Sequence, residues 1–416
     1  MNRIKLLLAV LIVGGTVYAA TKKYSNPIIK RSVPDPTIIK AQNGYFYLYG
    51  TEDIHNVPIF RSKNLIYWQY IGTAFTNATR PSMVPNGGIW APDINYINGK
   101  YVMYYSMSVW GGLETCGIGV AYADKPEGPF TDHGKLFISK DIGVLNSIDP
   151  FYIEDGGHKY LFWGSFRGIY GIELSEDGLS VKDGAVKKQI AGRSIEATYI
   201  IKHGDYYYLF GSRGTCCEGA KSTYKVVMTR SKNLFGPYLD KDGDNILNGY
   251  NYSWFLNGND IVAGPGHNSE FVQDDTGQYW ILYHGYVKNN ADVGRQVFLD
   301  KVYWGADGWP YIKNQEPSAE EDRPVFTTTA IDKIEDESVL NGGITIAPRM
   351  VKNSFTIGEN GTKGFTWSVT GLGGEIVKAG KGKGHVVVDC YDVPEGMYVV
   401  TVKNYAGKST AKIIKY

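Results

Sequence analysis

Four acidic residues stand at the heads of β-prone runs, where ordinary strand building would not put them. Glu196 opens Ser194-Ile195-Glu196-Ala197-Thr198-Tyr199-Ile200-Ile201, and Asp35, Asp93 and Asp149 open Asp35-Pro36-Thr37-Ile38-Ile39, Trp90-Ala91-Pro92-Asp93-Ile94 and Asp149-Pro150-Phe151-Tyr152-Ile153. An unpaired carboxylate beginning an apolar strand is costly to bury, so it is either neutralised by a partner or kept for chemistry. For carboxyl groups that converge, that chemistry is proton transfer.

The elements that would bring them together repeat. After Glu196 the chain turns at Lys202-His203-Gly204-Asp205 into Tyr206-Tyr207-Tyr208-Leu209-Phe210-Gly211-Ser212, which reads as a β-hairpin. The same unit pairs Asp35 with Gly44-Tyr45-Phe46-Tyr47-Leu48-Tyr49-Gly50, Asp93 with Tyr101-Val102-Met103-Tyr104-Tyr105-Ser106, and Asp149 with Tyr160-Leu161-Phe162-Trp163-Gly164-Ser165. A fifth copy runs from His267-Asn268-Ser269-Glu270-Phe271-Val272 to Tyr279-Trp280-Ile281-Leu282-Tyr283-His284. Copies at intervals of roughly 45 to 70 residues, each with room for about four short strands, match the blades of a five-bladed β-propeller better than a sandwich. The first strand of each blade lines the central axis, so Asp35, Asp93, Asp149 and Glu196 would share one small volume. Phe60–Leu65, Thr229–Leu234 and Ala121–Phe130 read as edge strands with turns on the rim, with no chemistry assigned.

Composition agrees with an all-β chain. The 416 residues are 43% hydrophobic, enough for two domains, and 51 Gly, 32 Tyr and 14% aromatics favour short strands and turns over helices. A net charge of +1 offers no field for nucleic acid or an anionic membrane. Residues 1–20 read as a signal peptide: Arg3 and Lys5, an apolar run from Leu6 to Val17, and Val17-Tyr18-Ala19 as a cleavage site. That run is too short to span a bilayer comfortably, so export is expected, with a mature chain in an oxidising compartment. Cys116, Cys216, Cys217 and Cys390 are no disulfide scaffold; adjacent Cys216 and Cys217 are either a vicinal ring at the mouth of the site or two packed or free thiols. The propeller is expected over 25–325 and a small C-terminal β-sandwich over 335–416, with strands at Phe365–Val369, Gly384–Asp389 and Gly396–Lys403.

The series Asp35-Pro36, Trp90-Ala91-Pro92-Asp93-Ile94, Ser147-Ile148-Asp149-Pro150 and Ser194-Ile195-Glu196-Ala197 resembles glycoside hydrolase family 43, the family of arabinanases and β-xylosidases, over roughly residues 30 to 315. Gly211–Gly219 and Gly264-Pro265-Gly266-His267-Asn268 are similar to its endo-1,5-α-L-arabinanase branch. Gly294-Arg295-Gln296-Val297-Phe298-Leu299 is more similar to xylosidase and arabinofuranosidase members. The resemblance implies cleavage with inversion, in which a carboxylic acid protonates the leaving oxygen and a carboxylate activates water from the opposite face. It assigns Glu196 as the acid and Asp35 as the base. Asp149 would orient Glu196 and raise its pKa, because a nearby negative charge disfavours ionisation. Asp35 must stay ionised, so it should be better solvated or hydrogen-bonded. Taken alone, Asp before Pro is also a common turn residue.

The same resemblance implies an α-1,5-linked arabinan of the plant cell wall as substrate. The alternatives are an exo-acting α-L-arabinofuranosidase or β-xylosidase, and, in another class, a non-catalytic glycan-binding propeller. Trp90 would stack on a pentose ring or pack in the core; Asp93 would contact sugar or only tie strands. Cys216 would line the site, and Arg295 would bind hydroxyls or pair with an axial carboxylate. His267 is either a satisfied core residue or, by resemblance, holds one ion, often calcium, in the axial channel through waters; such an ion would act by local electrostatics and is not required for proton transfer. The segment from Pro394-Glu395-Gly396-Met397-Tyr398 to Tyr416 is similar to the C-terminal sorting domain of the type IX secretion system, which implies passage through the periplasm to the outside. A carbohydrate-binding sandwich is the other reading of this tail. The expected molecule is a secreted monomer.

Overall fold

Runs such as Phe46-Tyr47-Leu48-Tyr49 are buried at every position, which a strand achieves only with both faces covered. Successive side chains point to opposite faces, and the packing divides accordingly: Phe46 and Leu48 join one apolar cluster, Tyr47 and Tyr49 another. Val102 and Tyr104 likewise separate from Tyr101, Met103 and Tyr105.

The computed structural model describes residues 23–326 and, beyond them, 344–347, 350–351, 353–359, 364–371, 374–394, 396–405 and 407–415. The signal segment expected at 1–20 lies outside the described residues. The chain divides into two compact units after Phe326. Among the described residues nearly all regular structure is antiparallel strand, and the one α-helical turn is Ser139–Ile142.

The first unit contains five antiparallel sheets in chain order. The first is Thr37–Lys40, Phe46–Tyr49, Pro58–Ser62 and Gln69–Thr73, and the second is Gly88–Ile97, Lys100–Ser108, Gly117–Ala123 and Thr131–Ile138. The third is Phe151–Asp155, His158–Trp163, Ile169–Glu173 and Lys188–Ala191, and the fourth is Glu196–His203, Tyr206–Arg213, Lys225–Ser231 and Ser253–Leu256. The fifth is built on Val262–Gly266, Tyr279–Val287, Gln296–Trp304 and Pro310–Tyr311. Packing between sheets is cyclic. One cluster joins the first to the second, another the second to the third, a third runs through the third, fourth and fifth, and a fourth joins Trp280, Leu282, Val297 and Leu299 of the fifth sheet to Ile38, Phe46 and Phe60 of the first. Lys23–Ser25 pairs with Glu320–Asp322, and the Tyr24 hydroxyl donates to the Leu299 carbonyl at 2.6 Å, fixing the start of the described chain beside its fifth sheet.

The segments expected as edge strands are not at the edge. Phe60, Thr229 and Ala121 lie in the third strand of their sheets, and a fourth strand pairs outside each. In the first sheet that outer strand, Gln69–Thr73, has no buried residue, so its weak apolar signal hid it from a pattern reading.

In the second unit Ile344–Ala347, Ser354–Glu359 and His385–Asp389 form one sheet. Met350–Val351, Gly407–Lys415, Gly396–Asn404, Phe365–Gly371 and Ile376–Gly382 form another. One core draws Ile346, Phe355 and Val388 from the first and Val369, Val400 and Ile413 from the second.

Candidate active site

A residue with positive φ stands at the inner end of each of the five sheets: Asp35 (53°), Ala91 (42°), Asp149 (58°), Ala197 (57°) and His267 (45°). None is glycine, and this conformation costs an L-residue roughly 1–2 kcal/mol, so the surroundings must impose it. They do so through a ring of side chains that accept each amide hydrogen from the preceding sheet. Thr51 Oγ1 accepts from Ala91 (2.7 Å), Ser106 Oγ from Asp149 (2.8 Å), Asp149 Oδ2 from Ala197 (3.1 Å), Ser212 Oγ from His267 (2.9 Å), and His284 Nδ1 from Asp35 (3.1 Å).

This ring floors a hollow of about 620 Å³ lined by Asp35, Asp149 and Glu196 together with Trp90, His267 and Arg295. Three carboxyl groups far apart in the chain therefore share one space, as do the other residues singled out for it, with one exception. Asp93 does not line the hollow. It is 4% exposed and accepts from the Tyr152 amide (2.8 Å) and the Asn95 side-chain amide (2.7 Å). With Glu270, which accepts from the Ile38 amide (2.8 Å), it forms a buried acid pair in which burial first, and for Asp93 the second carboxyl next, pushes both pKa values up. Its partners are those of a strand tie.

The three acids of the hollow differ in their neighbours. Burial works against ionisation of Asp35, yet Arg295 and His267 outweigh it: Arg295 Nη1 and His267 Nδ1 lie 3.1 and 3.2 Å from Oδ1, and Thr51 donates to Oδ2 at 2.5 Å. Its pKa falls well below the usual carboxylate range. The charges of Arg295 and His267, aided by hydrogen bonds, and not solvation, keep this acid charged. Glu196 has no cation in contact. Tyr224 donates to Oε1 (2.6 Å) and Ser165 to Oε2, which favours the ionised form, but burial dominates and the pKa rises. Asp149 is pushed up to about 7, by burial first and then by Glu196 and Asp35, against His267. For Glu196 burial comes first, and the charge of Asp35 adds to it.

Tyr224, Ser165 and Trp110 escaped the sequence reading. Tyr224 is 1% exposed and stacks on His284 at 5.7 Å with 4° between planes. Gly266 makes room for it, since a Cβ there would lie 2.2 Å from Tyr224 Cδ1. Trp110, 82% exposed, lines the hollow and tilts against Trp90 at 6.5 Å. Ser165 carried a signal, because Ser106, Ser165 and Ser212 stand within two residues of the end of the second strand in three successive repeats. Cys216 and Cys217 are joined in a vicinal disulfide that lines the hollow, which decides between the two readings of that pair.

His267, pushed up to about 9 chiefly by Asp35 against the effect of burial, commits Nδ1 to that carboxylate and leaves one nitrogen. Among the described residues no group of three or more His, Cys, Asp or Glu is arranged to hold a metal. A calcium ion takes six to eight oxygen ligands. An imidazole that keeps its proton has no lone pair for a metal, so the donor set fits an ion only through water.

Buried acids held in opposite protonation tendencies around an open, tryptophan-flanked hollow define a carbohydrate-cleaving type of site. The chain belongs to glycosyl hydrolases family 43, whose family model matches residues 24–310. It is 32% identical over 309 residues to an extracellular exo-α-(1→5)-L-arabinofuranosidase of Cellvibrio japonicus, covering 68% of this chain and 87% of that one. It is 33% identical over 289 residues to an extracellular endo-α-(1→5)-L-arabinanase of Bacillus subtilis, covering 66% and 86%. Among solved structures it is similar to a Cellvibrio cellulosa α-L-arabinanase complexed with arabinohexaose (TM-score 0.62, 30% identity, 68% of this chain and 96% of that one). It is also similar to an endo-arabinanase of Bacillus licheniformis (TM-score 0.60, 32% identity, 67% and 97%).

Proposed function

We propose that the chain is a secreted, inverting hydrolase of α-1,5-linked arabinan, working on a five-bladed propeller with Glu196 as general acid and Asp35 as general base. The observation that carries this reading is the unequal setting of the acids in one hollow: Asp35 lies beside Arg295 and His267, which hold its pKa well below the usual carboxylate range, while burial pushes that of Glu196 up. Glu196 gives its proton to the leaving oxygen while Asp35 takes one from the attacking water. Asp149 is a positioning residue: it grips the amide of Ala197, next to the acid, and its own charge would disfavour ionisation of Glu196. Trp90 offers an aromatic face to the sugar, Cys216 an apolar wall, and Arg295 donors for hydroxyls as well as its tie to Asp35.

Arabinan as substrate, and export as destination, are supported by the names of the relatives, both extracellular and both acting on the α-1,5 linkage. These relatives divide between endo and exo action, so product size decides: the endo reading expects a ladder of oligosaccharides from linear arabinan, the exo reading short products from the start. Glu196→Gln tests the assignment as an enzyme, because wild-type release of sugar by that variant would leave only a glycan-binding role. The anomer first released, followed by NMR, tests inversion, and an aryl xyloside left uncleaved sets aside the xylosidase alternative. An ion held beside His267 through water would supply positive charge beside the acids; treatment with EDTA is expected to weaken activity without abolishing it. For the tail, a sandwich-type sorting module is the reading we adopt, and truncation after Phe326 is expected to block delivery outside the cell while sparing hydrolysis in lysate.

A further inference from the structure

The fourth sheet presents an aromatic surface beside the hollow that the chemistry above does not use. Arg213 ends the second strand of that sheet, and its guanidinium carbon lies 5.2 Å from the ring centres of both Tyr250 and Tyr252 and 6.0 Å from that of Trp254. Lys225, the register partner of Arg213, places its ammonium 5.0 Å from Trp254, and Tyr252 meets Trp254 edge-on at 5.4 Å. Tyr250 is 71% exposed and Trp254 39%, so these rings are not core.

Their position is tied to the acid. Glu196 pairs in register with Ser212, the residue before Arg213, and Trp254 pairs with Val227 on the third strand. Glu196 and Trp254 thus lie on the same sheet, three strand spacings apart, or about 14 Å at the usual separation. The segment Gly214, Thr215, Cys216, Cys217 and Glu218 is a wall of the hollow and begins directly after Arg213.

We propose that Arg213, Lys225, Tyr250, Tyr252 and Trp254 form a second sugar-binding site that holds the arabinan chain where it leaves the hollow. Exposed aromatic faces accept the apolar faces of furanose rings, and the guanidinium and ammonium between them donate to hydroxyls. A protein partner fits less well, because Lys225 stands against Trp254, and lysine is depleted from the centres of such interfaces. The proposal rests on the arabinan reading above and extends it from the cleaved linkage to the polymer.

The test is the double variant Tyr250→Ala, Trp254→Ala, with Trp254→Phe as the conservative control. Retardation in a gel containing linear arabinan should be lost, and KM for the polymer should rise about fivefold or more, as expected for losing stacking contacts. Turnover number, and kinetics on arabinotriose too short to reach past the wall, should stay at wild-type values; Trp254→Phe should recover most of the polymer KM. Equal retardation of the wild type and the double variant overturns the proposal. So does an equal KM rise on arabinotriose, or a wild-type dimer that the double variant abolishes, which would make this face a contact between copies. Wild-type protein that is retarded by arabinan but does not cleave it would overturn the hydrolase reading and leave this one standing.

Discussion

Replacing Tyr224 by Phe removes one hydrogen bond to Glu196 and little else. The ring is buried against His284, and Phe keeps that stack while deleting the hydroxyl that donates to Oε1 at 2.6 Å. A hydrogen bond to a charged acceptor contributes about 1.5–3 kcal/mol. At 1.36 kcal/mol per unit, its loss moves the pKa of Glu196 by about 1–2 units. The sign follows from which form the bond favours: the donor stabilises carboxylate, so without it ionisation is harder and the pKa rises further. In its proposed role as the acid Glu196 must be protonated, so activity would be lost as pH rises through its pKa. The alkaline limb of kcat/KM for arabinan should therefore shift upward by about 1–2 units, and the acid limb, set by Asp35, should stay in place. The assay is release of reducing sugar across the pH range, with circular dichroism confirming that the variant is folded. An alkaline limb that stays put or moves down refutes the assignment of Glu196 as the acid, and a shifted acid limb refutes the division of roles with Asp35.

Asp35→Asn should lower kcat by about 100-fold to 10,000-fold, the usual range for a general base. It should also drop the pKa of His267, whose chief support is the Asp35 carboxylate, and NMR of that imidazole reads it directly. The Asp93–Glu270 pair has raised pKa values, so its contribution to stability is present at acid pH and is lost as pH rises toward the folded-state values. Asp93→Asn needs no proton and should flatten the fall in melting temperature as pH rises above the ordinary carboxylate range, whereas an unchanged slope would exclude the pair as its source. Reduction of Cys216–Cys217 should raise KM with almost no change in melting temperature, since a bridge between neighbours closes too short a loop to restrain the unfolded chain.

The acids were legible because they recur at one position of a repeated hairpin, and the repeat supplies the convergence that sequence distance conceals. Asp93 shows the limit of that reasoning. It belongs to the same run as Trp90 but lies three residues deeper, and a register shift between Trp90 and Asp93 means that the two residues sit at different levels of the same sheet. Glu270 was hidden in the same way: it stands three residues past His267, at the level of Ile38, whose amide it accepts. Tyr224 and Trp110 carried no signal, because an aromatic in a chain with 14% aromatics marks nothing until its hydroxyl or its exposed face is seen.

The positive-φ ring and the tie beneath it suggest why the chemistry sits where it does. Above, five amides are each held by a side chain of the neighbouring sheet. Below, Thr37 accepts from Ile94 (3.2 Å), Asp93 from Tyr152, Tyr199 from Phe271 (2.9 Å) and Glu270 from Ile38. Both layers fix backbone through side chains of other sheets, so each inner end is positioned independently of what its own side chain does. The five left-handed positions are consequently free to differ in type, and they carry Asp, Ala, Asp, Ala and His. At the two alanines the preceding residue, Trp90 or Glu196, reaches the hollow instead. A strained backbone that costs roughly 1–2 kcal/mol at each position is thus held by hydrogen bonds that leave the reacting side chains uncommitted. Asp149 is the exception, because its carboxylate both closes the ring at Ala197 and faces the acid beside it.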